Sequence, residues 1–172
     1  MMRWFMLGLT VLWLAGCDYE TPLVTDPALD IDRALVGLWS KPGASGAAEH
    51  LLVLPLDPRE ALVVYPAGSP DAMFARATLW RRDDLTLMQL NWFGTARAAL
   101  PKDRRTFQFA AFDLAGDTLT VRLLNRDAVK PAEASADGLA QAIRAGRGNP
   151  ASYRDAMVFT RRQAPGAERD AP

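Results

Sequence analysis

The chain has 172 residues, a length that suits one domain. Its 20 Lys plus Arg balance its 20 Asp plus Glu. This argues against the broad basic surface of a nucleic-acid-binding domain. One histidine and one cysteine are too few for a zinc or copper site, which needs three or four imidazole or thiolate ligands.

The first 16 residues have the composition of a targeting segment. Arg3 is their only charged residue, and residues 4–13 form an apolar run. As a helix this run would rise only about 15 Å, half the thickness of a bilayer core, so it is too short to span a membrane. We therefore expect a cleaved signal, and removing it leaves a net charge of −1.

The end of this segment, Leu14-Ala15-Gly16-Cys17, resembles the lipobox of bacterial lipoproteins. The resemblance implies that residues 1–16 are removed and that Cys17 becomes the lipidated N-terminus. An ordinary secretory signal with a chance cysteine is the alternative. Because Cys17 is the only cysteine, the mature domain would contain no disulfide, thiol nucleophile or cysteine metal ligand.

The resemblance also implies a location in the bacterial envelope, with the domain facing the periplasm. Two or more acyl chains would make the attachment stable. Asp18 resembles the signal that retains some bacterial lipoproteins in the inner membrane, so we expect the inner rather than the outer membrane. Residues 17–32 are rich in acidic side chains and proline, and we predict a flexible tether, with Asp30 capping a short helical turn.

The rest of the chain alternates apolar and polar residues in short runs separated by turn residues. The pattern predicts a mainly β domain over residues 33–162 and a disordered tail over 163–172. Eight strands are predicted at 36–41, 49–54, 61–65, 73–81, 85–92, 106–113, 118–124 and 156–161. Short connections predict an antiparallel up-and-down meander, and closing it into a small barrel would remove its exposed edges. One helix is predicted before the last strand, starting at Ser135, burying Leu139, Ala140 and Ile143, and ending near Gly146.

On the first predicted strand, Gly37-Leu38-Trp39 followed by a meander, a helix and a final strand resembles the lipocalins. In that family the tryptophan packs at the closed end of the barrel beneath a basic residue from near the last strand. The resemblance implies that Gly37 and Trp39 form part of this plug, with Arg161 or Arg162 above the indole ring.

Few residues are suited to catalysis. His50 lies within a predicted strand beside Glu49, and a polar strand face explains it better than a general base. Asp83-Asp84 and the pair Asp113 and Asp117 are typical of turns rather than of a calcium site. The sequence also lacks a phosphate-binding glycine loop and a Gly-X-Ser-X-Gly elbow. We therefore expect neither an enzyme nor a bound cofactor or metal.

Aromatic side chains give a candidate binding face. Phe74, Arg76 and Trp80 alternate onto one side of a predicted strand, and Trp92 follows on the next strand. An inward-pointing set would place the Arg76 cation inside the barrel, opposite an anionic ligand. An outward-pointing set would form a patch for a partner or the membrane, and the third alternative is that these residues simply fill the core. Two basic clusters, Arg81-Arg82 and residues 102–105, are most simply solvated loops, with contact to anionic lipid as the alternative.

Two functional hypotheses follow. The first is a membrane-anchored module that binds a lipid or another small hydrophobic ligand inside the barrel. The second is an accessory or assembly factor that docks an envelope protein through the barrel surface. A fully packed interior would count against the first hypothesis and leave the second intact.

Overall fold

The computed structural model describes residues 19–44, 46–101 and 106–162. The elements, in chain order, are β1 (Gly37–Pro42), β2 (Ala48–Pro55), β3 (Ala61–Tyr65), β4 (Met73–Arg82), β5 (Leu85–Thr95), β6 (Phe107–Ala115), β7 (Thr118–Leu123), α1 (Ala136–Ala145) and β8 (Met157–Arg161). Short 3-10 helices lie at Arg33–Leu35 and Pro150–Ser152.

The described strands close into one antiparallel barrel. Each strand pairs with the next, and β8 returns to pair with β1. The predicted eight-stranded meander is therefore confirmed, with strand ends within three residues of those expected. We call the end where β1, β3, β5 and β7 begin the plug end, and the end where those strands finish the mouth.

Alternation along the strands divides the apolar residues between two clusters. The interior cluster fills the barrel and includes Trp39, Val63, Ala77, Leu90 and Phe159. An outer cluster lies beneath α1 on the outside of β5 and β6, and it includes Leu87, Phe109, Leu139 and Ile143. Because successive strand residues point to opposite faces, β5 supplies Leu90 to the interior and Leu87 to the outer cluster.

The helix forms where its sequence signals predict it. The Ser135 hydroxyl accepts a hydrogen bond from the N–H of Gly138 at 3.0 Å, which caps the first turn. Leu139, Ala140 and Ile143 are its buried residues. This amphipathic face packs on the outer wall of the barrel, so the predicted helix and its buried face are confirmed.

Residues 19–31, which we call the strap, lie along the outside of the barrel within the segment predicted as a flexible tether. Tyr19 exchanges backbone hydrogen bonds with Phe107 at the mouth end of β6. The buried Gln89 side chain accepts from the N–H groups of Leu23 and Val24, at 2.7 and 3.0 Å, and donates to the Val24 carbonyl at 2.8 Å.

The strap then reaches the plug end, where the N–H of Ile31 donates to the Pro58 carbonyl at 2.8 Å. Hydrogen bonds to β5 and β6, together with burial of the Tyr19 ring, hold a segment whose composition alone favours a free coil. The prediction of Asp30 as the cap of the following turn is wrong. Asp32 is the cap, and its carboxylate accepts from the N–H of Ala34 at 2.8 Å.

Some predicted features fall outside the described residues. They are the lipobox with Cys17 and Asp18, the basic cluster at 102–105, and the tail at 163–172.

Candidate functional site: the two ends of the barrel interior

Trp39 and Arg161 meet at the plug end. Trp39 is fully buried, and its indole N–H donates to the Leu35 carbonyl at 3.0 Å. The Arg161 guanidinium carbon lies 4.1 Å from the centroid of the indole ring, within the range of a cation–π contact. The 3-10 helix at Arg33–Leu35 therefore covers this end of the barrel, with Trp39 fixed beneath it.

The Arg161 guanidinium also joins the last strand to the segment before β1. It donates to the carbonyls of Val36, at 2.9 Å, and Ala34, and its Nε lies 3.4 Å from the Asp117 carboxylate. Of the two arginines suggested by the sequence, Arg161 lies over the ring. Arg162 is exposed, and its backbone N–H donates to the Leu38 carbonyl.

Gly37 is required by this arrangement. Its φ of 142° lies in a region that side-chain-bearing residues rarely adopt, and an added Cβ would lie only 2.9 Å from Nη1 of Arg161. A side chain at position 37 would therefore strain the backbone and displace the guanidinium from the plug.

A polar cluster lies at the opposite end of the interior. Lys41 forms a salt bridge of 2.7 Å with Glu49, and the Tyr65 hydroxyl donates to the same carboxylate oxygen. The hydrogen bond from Lys41, followed by that from Tyr65, lowers the pKa of Glu49. Burial, followed by the hydrogen bond to Glu49, raises the pKa of Tyr65. We call Lys41, Glu49 and Tyr65 the mouth trio.

Several apolar side chains of the interior remain partly open to solvent, and one of them, Met73, pairs with Tyr65 of the mouth trio. They pack against the interior cluster but are only half-buried, and they include Met73, Phe112, Val121 and Met157. Trp92, 7% exposed, carries an indole N–H with no hydrogen-bond partner. The Lys41 ammonium group has three N–H donors, and Glu49 accepts a hydrogen bond from one of them. The mouth thus combines an apolar lining with surplus hydrogen-bond donors.

Phe74, Arg76, Trp80 and Trp92 do not form one face. Phe74 and Arg76 point outward, and Arg76 forms a 2.8 Å salt bridge with Glu60. Trp80 packs against the outer cluster beside α1, whereas Trp92 lies in the interior cluster. Phe74, Arg76 and Trp80 do share one face of β4, as predicted, and that face is the outer one.

Residues weighed for catalysis or metal binding are dispersed. His50 lies opposite Ser40 on the outward side of β2, with its Nδ1 buried and unpartnered. Asp84 pairs with Arg147, while Asp117 lies beside Arg161. Among residues 19–44, 46–101 and 106–162, no group of three or more His, Cys, Asp or Glu is arranged to hold a metal ion.

A patch of leucines covers part of the outer wall. Leu38 on β1 lies opposite Leu52 on β2, and Leu54 on β2 lies opposite Leu62 on β3. Leu38 and Leu54 are 38% and 41% exposed, and both belong to the small group of large apolar side chains that are exposed. We call these four residues the leucine wall. It lies on a different part of the barrel from β5 and β6, which α1 covers.

The sequence interpretation missed the mouth trio and the hydrogen bonds of Gln89. Alternation along β2 places Glu49 on the same face as Leu51 and Val53, so a carboxylate directed into the interior was detectable. No comparable signal identified Gln89, because its partners are backbone groups of the distant strap.

The chain matches no protein-family model, no curated protein and no solved structure. No helix in the described part of the chain is both long enough and apolar enough to cross a bilayer.

Proposed function

We propose that this protein is a lipid-anchored, non-catalytic binding module of the bacterial envelope, and that its main binding surface is the outside of the barrel. The observation that carries the proposal is the leucine wall. The partner would be another envelope protein that presents a complementary apolar surface.

The leucine wall suits docking because its side chains are neighbours in the sheet. Leu52 and Leu54 project from one strand, with Leu38 and Leu62 on the strands to either side. Leu56, in the loop that follows β2, is also exposed, at 48%. Contiguous apolar surface of this kind stabilises an interface when a partner removes it from water.

Site-specific photo-crosslinking in cells tests the docking proposal. A photoreactive residue at position 38 or 54 should give a discrete adduct with an envelope protein. The same residue at Arg122, which is exposed on β7, is the matched control. Leu52→Ser should weaken the adduct at position 54 without unfolding the barrel. Adducts of equal strength at all three positions, or at none, would contradict docking through the leucine wall.

A small hydrophobic ligand bound at the mouth is the second candidate. It is favoured by the half-buried apolar lining and the unpartnered indole N–H of Trp92. The filled plug end restricts such a ligand to the mouth. A ligand with an apolar chain and a hydrogen-bond acceptor would match this lining.

Native mass spectrometry of a Cys17→Ser form, purified without detergent, tests the second candidate. A reproducible added mass that disappears on denaturation would support a bound ligand. Val121→Phe, which enlarges a side chain lining the mouth, should abolish that added mass. An unliganded mass in every preparation would leave docking as the function.

The membrane anchor is a separate part of the proposal. It rests on the resemblance of residues 14–17 to a lipobox. Cys17→Ser should move the folded domain from the membrane fraction to the soluble fraction, while Ser135→Ala should not. Continued sedimentation of the Cys17→Ser form with membranes would contradict anchoring by acyl chains alone.

A further inference from the structure

The strap determines where the start of the described chain leaves the barrel. Tyr19 is 3% exposed, and its hydroxyl donates to the Val129 carbonyl at 3.0 Å. Its ring packs edge-on against Phe109, with centroids 5.3 Å apart, and its backbone pairs with Phe107. Phe107 is the first residue of β6, so Tyr19 is fastened at the mouth end.

Covalent geometry then limits how far Cys17 can be from this point. Two residues span at most about 7 Å, even when fully extended. Cys17 is two positions before Tyr19. If Cys17 carries the proposed acyl chains, the mouth end must therefore stay close to the bilayer surface. A flexible 15-residue tether would leave the barrel free to take any orientation, and the fastened Tyr19 removes most of that freedom.

A charged groove lies beside Tyr19. Its volume is about 430 Å³, and its lining includes Tyr19, Glu20, Arg126, Asp127, Lys130 and Leu139. Arg126 and Lys130 are exposed, and neither forms an ion pair with any described residue. The carboxylates of Glu20 and Asp127 line the same groove.

Arg126 and Lys130 provide donors for a phosphate, and Glu20 and Asp127 provide acceptors for an ammonium group. A groove with both sets of charges matches a zwitterionic headgroup better than a purely anionic one. Leu139 and the ring of Tyr19 add an apolar side, against which the carbon atoms of such a lipid can pack.

We propose that this groove binds the headgroup of a zwitterionic aminophospholipid and thereby docks the barrel with its mouth end on the membrane. The inference rests on the proposed anchoring through Cys17 and adds an orientation and a lipid class to it. The leucine wall, which runs along the side of the barrel, is then left accessible to a partner in the same membrane.

Fluorescence quenching in vesicles tests the orientation. The lipidated mature chain, with Ala47→Cys in the β1–β2 loop at the mouth end, is labelled with a fluorophore. It is then placed in phosphatidylethanolamine–phosphatidylcholine vesicles that contain headgroup-quencher lipids. Ala115→Cys, at the plug end of β6, is the matched control, because both alanines are exposed. The proposal predicts strong quenching at position 47 and little at position 115. Equal quenching at the two positions, or stronger quenching at position 115, would overturn it.

Charge substitutions test the groove itself. Arg126→Ala with Lys130→Ala should lower the quenching at position 47, while the share that the fastened Tyr19 alone produces remains. The control is Arg33→Ala with Arg82→Ala, which removes two exposed cations at the plug end and should leave the quenching unchanged. Equal effects of the two pairs would overturn the headgroup site. Quenching that keeps its full strength when phosphatidylcholine and phosphatidylglycerol replace the aminophospholipid would overturn the proposed lipid class.

Vesicle flotation separates failure of this inference from failure of the anchor. If the labelled chain does not float with vesicles, or if the unsubstituted chain takes up label at Cys17, the proposed anchor fails. If the chain floats and only the new cysteines are labelled, the anchor holds. The ratio of quenching at position 47 to quenching at position 115 then tests the orientation alone.

Discussion

The two ends of the barrel interior use similar side chains in opposite ways. At the plug end a cation, an aromatic ring and backbone carbonyls form a closed arrangement around a fully buried Trp39. At the mouth a cation, a carboxylate and a phenol form a cluster that solvent reaches, since the Glu49 side chain is 33% exposed. Burial, rather than the choice of side chains, thus separates the closed plug from the solvent-accessible mouth trio.

This comparison predicts that the plug end carries far more of the stability. Trp39→Ala should lower the free energy of unfolding by about 3–5 kcal/mol, because it leaves a large cavity in a packed interior. Chemical denaturation measures the loss. Leu38→Ala, at the adjacent outward-facing position, should cost less than about 1 kcal/mol. A loss below about 1 kcal/mol for Trp39→Ala would show that the tryptophan is not a plug.

The next largest loss of stability is expected when Arg161 is replaced. Arg161→Ala removes the cation–π contact and the hydrogen bonds to two carbonyls. The expected cost is about 2–3 kcal/mol, in the range for hydrogen bonds from a charged donor. Arg162→Ala is the matched control for the same denaturation measurement and should be nearly neutral. Similar costs for the two variants would contradict a specific role of Arg161.

The strap should loosen when Gln89 is replaced. Gln89→Ala removes three hydrogen bonds to the backbone of the strap and should cost about 1–2 kcal/mol. Hydrogen exchange should show the amides of Leu23 and Val24 losing protection, whereas the amides of β1 keep theirs. Gln141→Ala, on the exposed face of α1, should change neither. Unchanged protection at Leu23 and Val24 would mean that other contacts hold the strap.

The mouth should contribute the smallest effect, and that effect should depend on pH. The pKa of Glu49 is lower in the folded than in the unfolded chain, so its stabilisation is fully present above the ordinary value of 4.5. It is lost as the pH falls through the lowered pKa. Urea denaturation of the native chain between about pH 3 and pH 7 should show this loss, and Glu49→Gln should reduce it. Glu133→Gln, which replaces an exposed carboxyl group, should leave this loss unchanged.

Tyr65 should make the stability of the fold depend on pH at the alkaline end of the range. Its pKa is raised, so the unfolded chain ionises first as the pH rises above 10. Stability should therefore fall from about pH 10 upward, and Tyr65→Phe should reduce that fall. An identical alkaline profile in Tyr65→Phe would show that the phenol does not carry the effect.

Local patterns were sufficient for much of the fold. Short alternating runs and turn residues gave the eight strands and their antiparallel order, and Ser135 with Leu139 and Ile143 gave the helix. Local patterns were not sufficient for the strap. Leu23 and Val24 bond to the side chain of Gln89, which lies 66 and 65 positions away, and no local periodicity indicates such a partner.

The sequence by itself determined which side chains share a face, because successive strand residues always point to opposite sides. Phe74, Arg76 and Trp80 illustrate this, since their common face was predictable and its direction was not. Only closure of the barrel decided that this face points outward, while Trp92 and Glu49 point inward. The physical reason is that alternation is a property of one strand, whereas inside and outside exist only after β8 has paired with β1.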